Sequence, residues 1–203
     1  MLIGVGLGPG DPQLLTLKAI ETLKNSDKVY VPGRMAAELV EPYADAEILD
    51  FPMIRDYDTL NDIWKKNADQ IADHAKRSMV SFGLIGDPNF FSTFTHLKRV
   101  MNRYYPDVEV ETVPGISSIT SFASRTGSEI DSSFEVTDGS QVSYKIALKA
   151  RHPRELMDKF SEEGYNEFVF AERLFSEKET IITNIADIPE KGNYFSILYA
   201  GKK

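Results

Sequence analysis

Residues 4–11 read GVGLGPGD, a glycine-rich turn between the apolar run LIGVGL at 2–7 and a helical pattern that starts near Leu14. Strand, glycine turn and helix in that order make the usual setting for a nucleotide-binding loop. The spacing here is different. Gly4, Gly6, Gly8 and Gly10 alternate, no glycine stands three residues after Gly6, and no Gly-Lys-Ser or Gly-Lys-Thr follows. Neither a dinucleotide fingerprint nor a P-loop is therefore read. Alternating glycines remove side-chain bulk where a backbone meets a ligand or another strand. A ligand-contacting turn and a packing turn both fit that pattern.

Two later stretches repeat the arrangement. SMVSFGLI at 78–85 reads as a buried strand and runs directly into GDPNFFSTFTHL. Turns at the carboxyl ends of parallel strands converge on a crevice where ligands bind. Asp87 could accept from a ligand hydroxyl or amine, or cap the next helix, and Phe90 and Phe91 could line an apolar wall or pack in the core. The third stretch, VETVPGISS at 110–118, ends a strand on Pro114 and Gly115. Ser117 and Ser118 stand where free helix amides and hydroxyls could face a ligand, or simply cap the helix.

The pattern between these turns is βα. Helices are expected from about Leu14 to Asn25, over 35–43, over 58–76 and after Ser92. Strands are expected in KVYVP, AEILDFPM and VEVETV. Beyond residue 130 the short β-rich runs FEVTD, YKIALKA, NEFVFAERL and NYFSILYA surround one convincing helix, HPRELMDKFSEEG, ending at Gly164. The reading is an α/β chain of two lobes, with parallel βα units first, more antiparallel pairing second, and a boundary near 108–116.

Composition restricts the chemistry. The 203 residues carry a net charge of −8 and no cysteine. An acidic balance disfavours a nonspecific nucleic-acid binder, and there is no disulfide framework or thiolate nucleophile. His74, His96 and His152 are far apart, so no protein-bound metal is expected. With no apolar span and no basic, signal-like leader, the expectation is a cytoplasmic protein without membrane contact. Arg34, Arg55, Arg125 and Arg173 are candidates for pairing with substrate carboxylates, although any one of them also reads as a surface arginine.

GVGLGPGDPQLLTLKA, the IGDP turn at 85–88 and VPGISS at 113–118, in this order and spacing, resemble the tetrapyrrole methylase family across essentially the whole chain. Within it YVPGR, DFPMIRD, GDPNFFSTFTHL and VETVPGISSI are most similar to the precorrin-2 C20-methyltransferases, including those acting on cobalt-precorrin-2 or cobalt-factor II in cobalamin synthesis. The resemblance implies two α/β lobes, residues 1–112 and 113–203, with S-adenosylmethionine in the cleft between them, and a homodimer. The first lobe would hold an anionic tetrapyrrole beside the cofactor, and any cobalt would belong to that substrate. Carried onto this sequence, the resemblance places Pro9 and its turn at the cleft. It places Asp87, Phe90, Ser117 and Ser118 at the cofactor, with Leu148 and Ala171 lining it from the second lobe. No catalytic base is implied. Methyl transfer can depend on alignment and desolvation without a protein nucleophile, which suits a chain with no cysteine or triad. Three alternatives stay open: another tetrapyrrole acceptor, a diphthamide intermediate, or a noncatalytic module that retains the fold.

Overall fold

The computed structural model describes the backbone of residues 1–52 and 57–202, and side chains for 1–52 and 61–202. It divides into two compact units, Met1–Phe134 and Glu135–Lys203.

The first unit is a parallel sheet of β1 (Leu2–Gly6), β2 (Lys28–Val31), β3 (Ala46–Ile48), β4 (Val80–Leu84) and β5 (Val110–Val113), in the order β3-β2-β4-β1-β5. The connecting helices are α1 (Leu17–Asn25), α2 (Arg34–Val40), α3 (Tyr57–Ala75) and α4 (Thr93–Tyr104), and α5 (Ser118–Thr126) follows β5. Every residue of β1 and β4 is buried. That explains why LIGVG and VSFGL read as continuous runs rather than alternating ones: strands inside a parallel sheet are covered on both faces.

The alternation is still visible in the packing. Leu2, Val80, Phe82 and Leu84 join Trp64, Ile71, Phe94 and Leu97 of α3 and α4. Ile3, Val5 and Leu7 join Ala19, Leu23, Leu39 and Val40 of α1 and α2. Gly4 leaves the space that the Phe94 ring fills, since a Cβ there would lie 2.5 Å from it. Ser81 is fully buried in mid-strand, and its hydroxyl is hydrogen-bonded to that of Ser26 at 2.6 Å.

Adjacent strands β1 and β4 thus send their following helices to opposite faces of the sheet. Their carboxyl ends form the point at which ligands bind in folds of this class.

In the second unit β6 (Tyr144–Leu148), β7 (Glu167–Glu172), β8 (Thr180–Ile182) and β9 (Ser196–Gly201) pair antiparallel in the order β6-β9-β7-β8. α6 (Pro153–Glu162) supplies Phe160 to a core with Phe168, Phe170, Leu198 and Ala200.

Three expectations change. The first helix begins at Leu17 rather than Leu14, because the Thr16 hydroxyl accepts from Ala19 N at 3.1 Å and so caps it. Asp11 caps a separate 3-10 turn, Pro12–Leu14, instead. FEVTD at 134–138 forms no strand: residues 127–143 connect α5 to β6 without regular structure, and among the described residues no ladder takes up the Phe134/Val136 alternation. The boundary expected at 112/113 falls inside β5. That strand pairs with β1 from Leu2↔Val110 to Val5↔Val113, which ties it to the first unit, and the units divide at 134/135.

Candidate functional site

The three glycine turns meet at the carboxyl edge of the parallel sheet. Leu7 N donates to Leu84 O at 2.8 Å, continuing the β1–β4 pairing past the strand ends. Gly8 and Gly86 then form an isolated bridge, with Gly86 N donating to Gly8 O at 2.7 Å. The third turn closes against both. A Cβ on Gly115 would lie 2.2 Å from Gly86 O and 2.7 Å from Gly6 Cα. A Cβ on Gly6 would lie 2.4 Å from Gly115 N. No larger residue fits at Gly6 or Gly115 without separating the turns.

Asp87 locks this junction. It is 8% exposed, and its two carboxylate oxygens accept from different loops: Oδ1 from Asn89 N at 2.8 Å and Oδ2 from Gly115 N at 3.1 Å. A buried carboxylate is tolerated when such donors replace water. Asn89 adds a second tie, donating through Nδ2 to Thr112 Oγ1 at 3.2 Å. Asp87 thus holds the second turn to the third.

Around the junction the surface is open. Gly10 (φ +119°) and Gly86 (φ +80°) take left-handed conformations and have nothing within 4 Å of the position a Cβ would occupy. Pro9 is half-buried between Gly8 and Gly10. Phe90, its N–H donating to Asp87 O at 3.4 Å, is 46% exposed, and Phe91 is 68% exposed. Ser117 caps α5, its hydroxyl accepting from Ile119 N at 3.3 Å, and Ser118 is the exposed first residue of that helix. Pro9, Asp87, Phe90, Ser117 and Ser118 therefore belong to one set of contiguous turns. These provide bare backbone at Gly10 and Gly86, an exposed ring, and the amide end of a helix, which favours negative charge.

The remaining candidates are distributed differently. Leu148 and Ala171 lie in the second unit, both opposite Ile197 of the central strand β9; Leu148 is 69% exposed and Ala171 buried. Arg34 opens α2 at the same sheet edge as the turns, but its Nε donates to Glu38 Oε1 at 3.0 Å. Arg125 is exposed in the last turn of α5, about 10 Å along the helix from Ser118 at the usual rise. Arg173 is an exposed residue of the second unit, with φ 51°. Arg55 lies outside the described residues. Among the described residues no cluster of three or more His, Cys, Asp or Glu side chains is arranged to hold a metal ion, and no helix is long and apolar enough to cross a membrane.

Two features escaped the residue reading. One is the mutual contact of Gly6, Gly86 and Gly115, for which the only sequence signal is that each turn carries a glycine. The other is a ring pair beside the α3–α4 packing: Trp64 and His96 lie 4.3 Å apart between centroids, with Phe51 4.6 Å from Trp64. Burial, and secondarily Arg99, holds the His96 imidazole below its ordinary pKa.

A profile of the family described as Tetrapyrrole (Corrin/Porphyrin) Methylases matches residues 1–189. Over 125 residues the chain is 39% identical to a protein of Methanocaldococcus jannaschii named probable cobalt-precorrin-2 C(20)-methyltransferase, an alignment covering 57% of this chain and 53% of the relative. Over 145 residues it is 32% identical to a precorrin-2 C(20)-methyltransferase of Sinorhizobium sp, covering 62% and 58%. The aligned region is thus little more than half the length of either relative. The solved precorrin-6Y methylase of Archaeoglobus fulgidus shares the fold, with a TM-score of 0.51, 22% identity, and coverage of 100% of this chain and 98% of that one.

Proposed function

Since the chain belongs to the tetrapyrrole methylase family, we propose that it is an S-adenosylmethionine-dependent C-methyltransferase acting on a precorrin-2-like tetrapyrrole at C20, in cobalamin synthesis. The observation that carries the reading is the junction of the three turns, locked by Asp87 at the edge where β1 and β4 part. The two C20-methyltransferase relatives support the choice of substrate and position.

The residues present suit the methyl donor. Gly10 and Gly86 offer backbone with free space in front of it, so a ligand can come within contact distance of main-chain atoms. Phe90 offers an apolar face, and the first turn of α5 favours a carboxylate. When bound, S-adenosylmethionine would supply an electrophilic sulfonium methyl group to a ring carbon of the macrocycle, with S-adenosylhomocysteine formed as the S–CH3 bond breaks and the methylated carbon's proton passing to solvent. The protein's part is alignment. Asp87 fixes the distance between the second and third turns, and the glycine contacts keep the first turn from shifting against them. Leu148 and Ala171 stay within the proposal as apolar contacts for the cofactor.

An oxygen-free assay with S-adenosylmethionine and paired metal-free and cobalt-containing precorrin-2 tests the proposal. The expected product is heavier by one methyl group, located at C20 by ring-position NMR. A methyl group at another carbon would overturn the C20 assignment. No transfer to either substrate would overturn the tetrapyrrole reading.

A further inference from the structure

The sheet of the second unit has an open edge. In the order β6-β9-β7-β8, β6 pairs with β9 alone. Lys202 N donates to Ser143 O at 3.0 Å just beyond the paired residues, and this fixes the phase of the ladder. Antiparallel partners alternate between hydrogen-bonded and non-hydrogen-bonded pairs, so Ser143, Lys145 and Ala147 turn their N–H and C=O groups toward β9. Tyr144, Ile146 and Leu148 turn theirs outward, and among the described residues no strand receives them. A row of outward backbone donors and acceptors is a template for another strand.

The same three residues carry exposed apolar side chains. Tyr144 is 57%, Ile146 51% and Leu148 69% exposed. Tyr144 is fixed there, its ring stacked on Tyr199 with centroids 6.0 Å apart. Natural edges are usually blunted by a proline, an outward charge or a very short strand. The five residues of β6, YKIAL, include no proline. Their one charge, Lys145, alternates onto the opposite face, where Nζ pairs with Glu163 and lies 4.7 Å from the centroid of Phe160. The other edge of the sheet, β8, is blunted by its length of three residues.

The open edge is complementary to itself. Two copies of β6 set antiparallel about a two-fold axis at Ile146 place Ile146 opposite Ile146 of the second copy, and Tyr144 opposite its Leu148. Every outward N–H and C=O of these residues then meets a partner, and the exposed side chains form cross-strand apolar pairs on one face. A two-fold contact of this kind closes at two copies. Area sets its strength. At about 200 Å² per large side chain, the three residues expose about 350 Å² on each copy. The resulting 700 Å² or so is under half of the roughly 1,600 Å² of a standard interface, which makes the pair weak and concentration-dependent.

We propose that β6 is a self-association edge, through which two copies of this chain join their four-stranded sheets into one continuous sheet. Pairing uses the backbone edge, so it is independent of the methyl-transfer reading and leaves the Leu148 side chain on the outer face.

Sedimentation equilibrium of the full chain, from about 1 to 300 μM, tests the edge. The wild type is expected to show a monomer–dimer equilibrium with Kd of about 10–100 μM, near the weak limit for protein interfaces. Ile146→Lys places a charge on the exposed edge and should weaken it by about tenfold or more, with an unchanged far-UV circular dichroism spectrum. The chain has no cysteine, so Ile146→Cys gives a second readout. Two such residues would face each other with Cα atoms about 5.5 Å apart, within disulfide range, and should cross-link on mild oxidation. Ile181→Cys, at an exposed position of β8, is the background control. A wild type that stays monomeric over the whole range overturns the proposal, as does a dimer that Ile146→Lys leaves intact. Cross-linking of Ile146→Cys no faster than that of Ile181→Cys overturns the edge even where a dimer forms, and species larger than a dimer overturn the closed pair.

Discussion

Gly115 has no room for even one carbon: the added Cβ would sit 2.2 Å from Gly86 O, and both atoms are tied to backbone. Gly115→Ala must therefore separate two turns, and the expected loss is about 3 kcal/mol, at the upper end of overpacking costs. Gly86→Ala is a different substitution. Nothing lies within 4 Å of its Cβ position, so its stability cost is only the left-handed strain at φ +80°, about 1–2 kcal/mol. Its methyl group would nevertheless occupy the space proposed for the cofactor. Chemical denaturation and calorimetry with S-adenosylhomocysteine should separate the two: Gly115→Ala loses mainly stability, whereas Gly86→Ala loses affinity out of proportion to stability. Asp87 shows why such roles are hard to read in a sequence. Its bond to Asn89 N is local and follows from the Asp-Pro-Asn order, but its bond to Gly115 N joins turns 28 residues apart. No neighbouring residue type signals that partner.

Among the elements, the α3–α4 contact carries a pH dependence. His96 packs against Trp64, and neither His96 Nε2 nor Trp64 Nε1 has a hydrogen-bond partner among the described residues. Burial, reinforced by Arg99, lowers the imidazole pKa below its usual 6.5 in the folded state. The unfolded chain therefore takes up the proton first. The contribution of His96 to stability is fully present above pH 6.5 and is lost as pH falls from there through the lowered folded value. Urea unfolding at pH 8 and pH 5.5 should show a smaller acid loss for His96→Phe than for the wild type, and an equal loss would refute the assignment. The helical stripe of α3 was legible in the sequence, because Trp64, Ala68, Ile71, Ala72 and Ala75 recur at helical spacing. Its ring partner was not, because His96 reaches it through the packing of two helices.

For the whole molecule, the connection between units is the exposed feature. Residues 127–143 have no regular structure, and Phe134, 60% exposed, stands at the division between the two compact units. Exposed backbone outside a ladder is where proteases cut first. Limited chymotrypsin digestion should cleave at Phe134 before any core aromatic, giving fragments whose masses match residues 1–134 and 135–203. Early cleavage at Phe82, Phe94 or Phe170, all buried, would contradict the division.

The sequence by itself determined the order of elements from β1 to α5, the parallel character of the first sheet and the position of the three turns. Those properties are local: burial on both faces gives unbroken apolar strands, and turns need glycine and proline where the backbone reverses. Tertiary structure alone decided that Gly6, Gly86 and Gly115 touch, that Asp87 bridges two turns, that β5 belongs to the first unit, and that FEVTD stays unpaired. It also left one edge of β6 open. Each of these depends on contacts between segments remote in the chain, which side-chain periodicity does not encode. GVGLGPGD is thus one third of a junction, completed by GDP at 86–88 and PGISS at 114–118 once the strands bring their ends together.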